Sequence, residues 1–291
     1  MTDVLQIVIL GLLLGGVYAL MASGLTLVFG VMRIVNLAHG VLIFLGAYLA
    51  YFAFTLFGID PFLSILITMP VMFLFGMLLY RLLFPRIEGS PRFTEGTVLL
   101  TFALALITEG VLAFIFTGIY RSTNPSYTTD AFLLGPFFVP KAQLYASGVS
   151  VLLLALLWGF LYFTRTGYAV RATMQNRTAA QIVGVNVRRI STLSFGIGLA
   201  LAGASGSLLS LLFTFFPSGH WAWIALLISL VVLGGLGSLR GALVGALGLS
   251  VASAFMSAWF GPTWSPMTFY LALFLILLVR PQGLFGKPME A

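Results

Sequence analysis

Charge is what this chain has least of. Lys, Arg, Asp and Glu together make 7% of its 291 residues, where soluble domains average roughly 25%. So few charged side chains cannot cover a water-soluble surface of this size. A soluble enzyme, a nucleic-acid binder and a disordered chain are therefore excluded. Cysteine is absent, which excludes disulfides, thiolate metal sites and cysteine nucleophiles. The chain opens Met-Thr-Asp, with no basic stretch ahead of its first apolar run. A cleaved signal peptide is not expected there.

What is present is apolar. Hydrophobic residues make 60% of the chain and the mean hydropathy is +1.12. The apolar runs are unbroken rather than alternating, so they read as helices and not as barrel strands. No charge occurs in 4–32, 34–59, 61–80, 142–164, 190–239 or 241–279. A span takes about 20 residues. The run 190–239 therefore holds two spans, parted near Phe216-Pro217-Ser218-Gly219-His220, and 241–279 holds two more, parted at Gly261-Pro262 and Ser265-Pro266. Nine spans follow: 4–29, 37–57, 61–83, 96–118, 142–163, 190–212, 222–239, 241–259 and 266–280, with Arg240-Gly241 as the divider between the seventh and eighth. The expected fold class is all-α, a polytopic helical membrane protein forming a single domain over 1–291.

Nine spans put the termini on opposite sides. With the N-terminus outside, Arg33, Arg81, Arg86, Arg92, Arg165, Arg171, Arg177, Arg188, Arg189, Arg240, Arg280 and Lys287 fall inside, and only Arg121 and Lys141 fall outside. That 12-to-2 split is the positive-inside pattern. It reads the net charge of +7 as topology rather than as nucleic-acid binding.

Glycine, at 32 residues, lets helix backbones approach in lipid. Gly11 and Gly15, then Gly198, Ala202 and Gly206, then Gly237, Gly241 and Gly245 form small-residue stripes. The cluster Gly234-Gly235-Leu236-Gly237-Ser238 is also the pattern of a broken helix lining a cavity. Asn36-Leu37-Ala38-His39-Gly40, ahead of Gly46-Ala47, is echoed by Gly237-Ser238-Leu239-Arg240-Gly241, ahead of Gly245-Ala246. The echo points to a duplicated half.

Residues 164–190 form the one long inner loop. Within 171–184, Met174, Ala179, Ile182 and Val183 fit helical spacing, with Arg171, Gln175 and Arg177 as polar positions. Asn176 suits a helix start and Gly184 a helix end. Such a helix either lies on the headgroups with its arginines on anionic lipid or docks a cytoplasmic partner.

Thr178-Ala179-Ala180 followed by Gly184 matches the spacing of the Glu-Ala-Ala-x-x-x-Gly loop of ABC importer permeases, with Thr178 where that signature has Glu. The stretch Gly167 to Gly184, Asn36-x-Ala38-His39-Gly40, the Gly234 to Ser238 cluster and the ending Arg280-Pro281-x-Gly283-Leu284-Phe285-Gly286 resemble the branched-chain amino acid permeases along nearly the whole chain. The resemblance implies a LivH-type permease in a bacterial cell (inner) membrane. It implies pairing with a second permease subunit, either a sister permease or a second copy. Two cytoplasmic ATPases would drive the pair, and an extracytoplasmic binding protein would feed it. Arg171, Arg177, Thr178, Ala179, Ala180 and Gly184 would belong to the coupling helix over 171–184, set in an ATPase groove. No Gly-x-x-x-x-Gly-Lys-Ser/Thr phosphate loop occurs in the sequence, so ATP would be bound by the partner subunits and the chain itself needs no cofactor.

Few polar groups remain for a pathway. Asn36, His39, Glu109, Gly234, Gly235 and Ser238 are the candidates. Glu109 is the one acid well inside a span, roughly 20 Å from Glu95 along a helix and so in the outer part of the core. A charge at helix centre costs about 2.5–3.5 kcal/mol on insertion scales. Glu109 should face protein or a wet cavity, or be protonated, and an interhelical hydrogen bond is the first expectation. A proton relay in an ion-coupled secondary transporter is the competing one, with a single acid to support it. His39 is expected near the inner mouth, hydrogen-bonded across helices or acting as a gate. His220, beside Pro217 and Trp221, is expected in an outer loop near the aromatic belt, where the binding protein could touch it. Gly203-Ala204-Ser205-Gly206 fits the Gly-x-Ser-Gly pattern of rhomboid proteases, but neither histidine is placed to activate Ser205. Ser23, Thr26, Thr101, Thr108 and Ser229 are scattered, and no basic residue lies in the interior of a span, where it could clamp a carboxylate. That suits a low-affinity conduit. Hydrophobic amino acids are the substrate the resemblance implies, with urea, short amides and aromatic acids moved by similar permeases.

Overall fold

A computed structural model describes residues 2–88 and 92–286. Helices α1 (Thr2–Met32), α2 (His39–Phe57), α3 (Pro61–Leu83) and α4 (Phe93–Phe116) come first. Strands β1 (Ala131–Leu134) and β2 (Phe137–Pro140) follow, then α5 (Lys141–Phe163), α6 (Arg165–Gln175) and α7 (Arg177–Ile182). The chain continues with α8 (Val187–Leu212), α9 (His220–Gly234), α10 (Leu239–Phe260) and α11 (Met267–Val279). Among the described residues nine helical segments are long and apolar enough to cross a membrane; α6 and α7 are not among them. The nine-span polytopic helical fold is as expected. One boundary moves. The seventh span is α9, which stops at Gly234, so the divider before α10 is Gly235–Ser238 rather than Arg240-Gly241.

Local chemistry explains the ends. Gly58, at φ +66°, closes α2, with its own N–H on Phe54 oxygen and the Ile59 N–H on Ala53 oxygen. Asp60 then caps α3 through Phe62 N–H at 2.8 Å, with Pro61 in the first turn as its fixed φ allows. Two ends of the bundle can be told apart. Arg33, Arg81, Arg86, Arg92, Arg165, Arg171, Arg177, Arg188, Arg189, Arg240 and Arg280 gather at one. Arg121 and Lys141 lie at the other, beside the β1–β2 hairpin. Lys287 lies outside the described residues.

The core is built on α8, whose most apolar window is 89% buried, against 17% for α4 and 6% for α11. Small residues let α2 and α3 close on it, and hydroxyls join the helices. Ser207 on α8 is 3.2 Å from Ser64 Oγ and 2.9 Å from Thr68 Oγ1 on α3. Such interhelical hydrogen bonds are typically worth about 0.6 kcal/mol each in a membrane.

The packing plan repeats with an offset of five spans. The first span α1 packs on α10, the eighth, as the sixth span α8 packs on α3, the third. Likewise α2 packs on α4 as α9 packs on α11. An odd offset inverts each span's direction, so the halves are related as inverted repeats. The echo in the sequence matched the start of α2 with that of α10. The packing pairs α2 with α9 and α3 with α10 instead. Glycine spacing repeats easily wherever small residues serve close packing, and here it misassigned the mates.

Candidate functional site

The chain between α1 and α2 turns back into the bundle. Arg33 takes φ 58° and gives its N–H to Phe29 oxygen at 2.7 Å, ending α1. Ile34, Asn36 and Ala38 are fully buried. His39, the first residue of α2, places Nε2 3.4 Å from Met21 oxygen. Met21 is eleven residues before the end of α1, or about 16 Å along the helix. His39 therefore lies deep in the membrane layer and not at the inner mouth. Non-helical backbone survives at such depth only when buried in protein with its polar groups met. Asn36 Oδ1 accepts from Ala38 N–H at 3.1 Å, and Thr101 Oγ1 on α4 accepts from Leu37 N–H at 3.3 Å.

Helix α9 starts against the same place. A Cβ added at Gly40 would fall 2.9 Å from His220 oxygen and 3.0 Å from Ile224 Cβ. Only a glycine lets the first turns of α2 and α9 touch there. Two helix N-termini, each carrying partial positive charge, thus meet inside the bundle.

Glu109 stands beside them. Two ring nitrogens of α9 converge on its Oε2, His220 Nε2 at 3.2 Å and Trp221 Nε1 at 2.9 Å. The interhelical hydrogen bond expected of Glu109 is present. His220 is not an outer-loop residue. Its side chain is fully buried, it opens α9, and its ring packs edge-on against Phe44 at 6.3 Å. An acid at a helix N-terminus also complements the dipole. The Glu109 side chain is 20% exposed, on the face of α4 that the rest of the chain leaves uncovered. Phe102, two turns away on that face, packs on Trp221 with ring centroids 5.7 Å apart. From Phe102 an apolar furrow of about 490 Å³ runs toward the arginine-rich end, lined by Leu37, Thr94, Glu95, Val98 and Leu99. Trp221 as partner of Glu109, and the furrow itself, were missed in the sequence. The acid and its donors are 111 and 112 residues apart, and no local pattern links them.

Gly234, Gly235 and Ser238 are not brought to this site. Gly234 lies in close backbone contact with Gly241, Gly235 takes φ +100°, and Ser238 Oγ caps α10 by accepting from Gly241 N–H at 3.1 Å. They form the α9–α10 turn at the arginine-rich end. There the tail returns over them, with Leu284 N–H on Leu233 oxygen at 2.8 Å.

The same end holds the 164–190 loop, which differs from the single 171–184 helix expected. Asn176 leaves helical geometry, ends α6 and caps α7 by accepting from Ala179 N–H at 2.9 Å. A capping Asn competes with the helical backbone in this way. It is a helix start, as its type indicated, but it also divides the segment. Gly184 takes φ +87°, which suits glycine. Ala180, expected to meet a partner, is buried within the chain. Thr178, Ala179, Ile182 and Val183 are exposed, the last two at 81% and 77%. Arg177 faces inward to Glu88 Oε1 at 3.2 Å, an oxygen that Tyr80 also donates to at 3.0 Å. Arg171 lies over the rings of Tyr162 at 4.1 Å and Tyr168 at 4.8 Å. Arg33 donates to Met174 oxygen at 3.3 Å, so α6 is tied to the segment that leads to His39.

Known proteins share this plan. The family described as branched-chain amino acid transport system / permease component matches residues 7–279. The high-affinity branched-chain amino acid transport system permease protein BraD of Pseudomonas aeruginosa is 29% identical, covering 98% of this chain and 96% of its own. LivH of Escherichia coli K12, described in the same words, is 28% identical over 96% and 94% of the two chains. A probable branched-chain amino acid transport permease protein LivH of Methanocaldococcus jannaschii is 30% identical over 92% and 88%. The solved PsaBC from Streptococcus pneumoniae in complex with Fab aligns at a TM-score of 0.50 over 97% of this chain and 94% of that one. At 15% identity that likeness speaks for fold alone. A multi-pass helical bundle matched over nearly its whole length in this way belongs to the permease components of the branched-chain amino acid transport systems.

Proposed function

We propose that the chain is the single-domain transmembrane permease subunit of an ABC importer that carries branched-chain and other hydrophobic amino acids into the cytoplasm. The observation that carries this reading is the family match over residues 7–279. The arginine-rich end is cytoplasmic, in keeping with the positive-inside rule, so the N-terminus is outside and the C-terminus inside. Two ATPase subunits bind ATP there and engage the exposed ridge of α7, Ala179, Ile182 and Val183. Gly184 turns the chain back to α8. The hairpin end faces the binding protein. A second permease subunit lies against α4 and α11, the spans this chain covers least, and the substrate passes along α4 between the two subunits. An accessible acid within a span supports that route, because lipid is an unfavourable neighbour for it.

The test is reconstitution in liposomes. The purified chain alone, given an ion gradient, should show no concentrative leucine uptake. The same chain with its partner permease, ATPases and binding protein should accumulate leucine on ATP addition. Uptake by the chain alone would overturn the reading and make it an ion-coupled carrier.

A further inference from the structure

We propose that Glu109 is the ammonium-binding subsite of the pathway, holding the α-ammonium group of a hydrophobic amino acid while Phe102, Leu106 and Trp221 take its side chain. This rests on the permease reading above. It goes beyond that reading by assigning a substrate contact to a residue.

Three observations converge. First, Glu109 is half committed. Its Oε2 accepts from Trp221 Nε1–H and lies within hydrogen-bond distance of His220 Nε2, while Oε1 accepts no hydrogen bond from the described residues. A carboxylate has acceptor sites on both oxygens, so one oxygen is fixed in place and the other is left for a donor from outside the chain. Second, the side chain is accessible, at 20%, on the uncovered face of α4. An accessible acid within a span belongs to a wet path or a bound partner, since lipid solvates a charge poorly. Third, its surroundings match one ligand chemistry. On the same face Leu106 is 48% and Phe102 39% exposed, and Phe102 continues into Trp221. An acid beside an apolar wall recognises a cation joined to an aliphatic or aromatic group. A neutral amide brings Glu109 only an uncharged donor, a weaker partner for a carboxylate than an ammonium, and a carboxylic acid without an amine brings no cation at all. Glu95 lies fourteen residues away on the same face, about 21 Å along α4, and the furrow at Phe102 leads toward it.

The experiment uses the complete reconstituted complex with leucine as probe. Glu109→Gln keeps an acceptor for His220 and Trp221 and removes the charge. Leucine uptake should fall at least fivefold, while ATP hydrolysis stimulated by leucine-loaded binding protein stays within twofold of the parent. Glu109→Asp should recover more than a third of the lost uptake. A loss below fivefold, a parallel loss of ATP hydrolysis, or no recovery with Asp would each overturn the proposal. A second measurement needs no variant. A hydrophobic carbodiimide should label Glu109 in the parent complex, read by mass spectrometry of its peptide. Leucine delivered by the binding protein should slow that labelling at least threefold, and acetamide should not. Labelling unchanged by leucine overturns the subsite even if Glu109→Gln fails to assemble. Failure of the permease reading looks different: the parent complex would then not transport leucine at all.

Discussion

At the scale of single residues, close packing rather than polarity decides where substitutions are tolerated. A Cβ at Gly206 would fall 2.5 Å from Ala47 N, against the backbone of α2, whereas one added at Gly248 would meet nothing within 4 Å beyond its own stretch of helix. Overpacking a tight core costs typically about 1–3 kcal/mol and sometimes more. A rigid backbone neighbour cannot give way as a side chain can. Gly206→Leu should therefore lower the thermal midpoint in detergent by about ten degrees or abolish the folded peak in gel filtration. Gly248→Leu should shift the midpoint by no more than a few degrees. Equal shifts would mean that the α2–α8 contact is looser than described. The two glycines are alike in the sequence, and their difference lies entirely in what stands opposite.

At the scale of elements, α7 is held from one side and bare on the other. Its inner side has Ala180 and the Arg177–Glu88 ion pair. That pair is about a third exposed on each partner, so it contributes under about 1 kcal/mol. Its effect belongs to positioning. Arg177→Ala should leave the thermal midpoint nearly unchanged but lower leucine moved per ATP hydrolysed at least threefold, since α7 would lose its tie to the Glu88 turn that follows α3. An unchanged ratio would remove the ion pair from the coupling path. The bare side carries Ile182 and Val183. Ile182→Asp should preserve membrane insertion and weaken ATPase co-purification at least fivefold, because an interface anchor is replaced by a desolvated charge. Retained co-purification would place the ATPase contact elsewhere. Ala180→Arg is expected to damage α7 itself, as it forces a large cation into the chain's own interior.

At the scale of the whole molecule, the proposed orientation rests on charge. Ser126 and Gln175 are both exposed and lie at opposite ends of the bundle. The chain has no cysteine, so single-cysteine variants can be labelled without background. Ser126→Cys should react with an impermeant maleimide added outside cells, and Gln175→Cys only after permeabilisation. The reverse pattern would invert the topology and exchange the proposed ATPase and binding-protein faces. The hairpin end also carries a phenol–carboxylate link, Tyr127 Oη to Asp60 Oδ2 at 2.7 Å. Burial first, and then the hydrogen bond to Asp60, hold the Tyr127 hydroxyl well above its ordinary value, so it remains a donor throughout physiological pH.

The sequence by itself determined the number of spans, their all-helical character, the uneven distribution of arginine and the family. Each of these rests on composition or on short contiguous runs, and transfer from water to lipid acts on such runs locally. Residue-type signals at Asn176 and Gly184 were legible for the same reason, since capping and left-handed turns are local physics. Only the tertiary structure decided that α2 and α9 begin inside the bundle, that Glu109 meets His220 and Trp221, and that Ala180 faces inward while Ile182 and Val183 face out. A helix that starts deep looks in sequence like one that starts at the surface, because both follow a short polar segment. The hairpin at 131–140 was missed as well. Its Gly135 turn, at φ +62°, joins two four-residue strands too short to show alternation. What joins Glu109 to α9 is distance in space between residues 111 and 112 apart in sequence, and packing of the inverted halves alone brings them together.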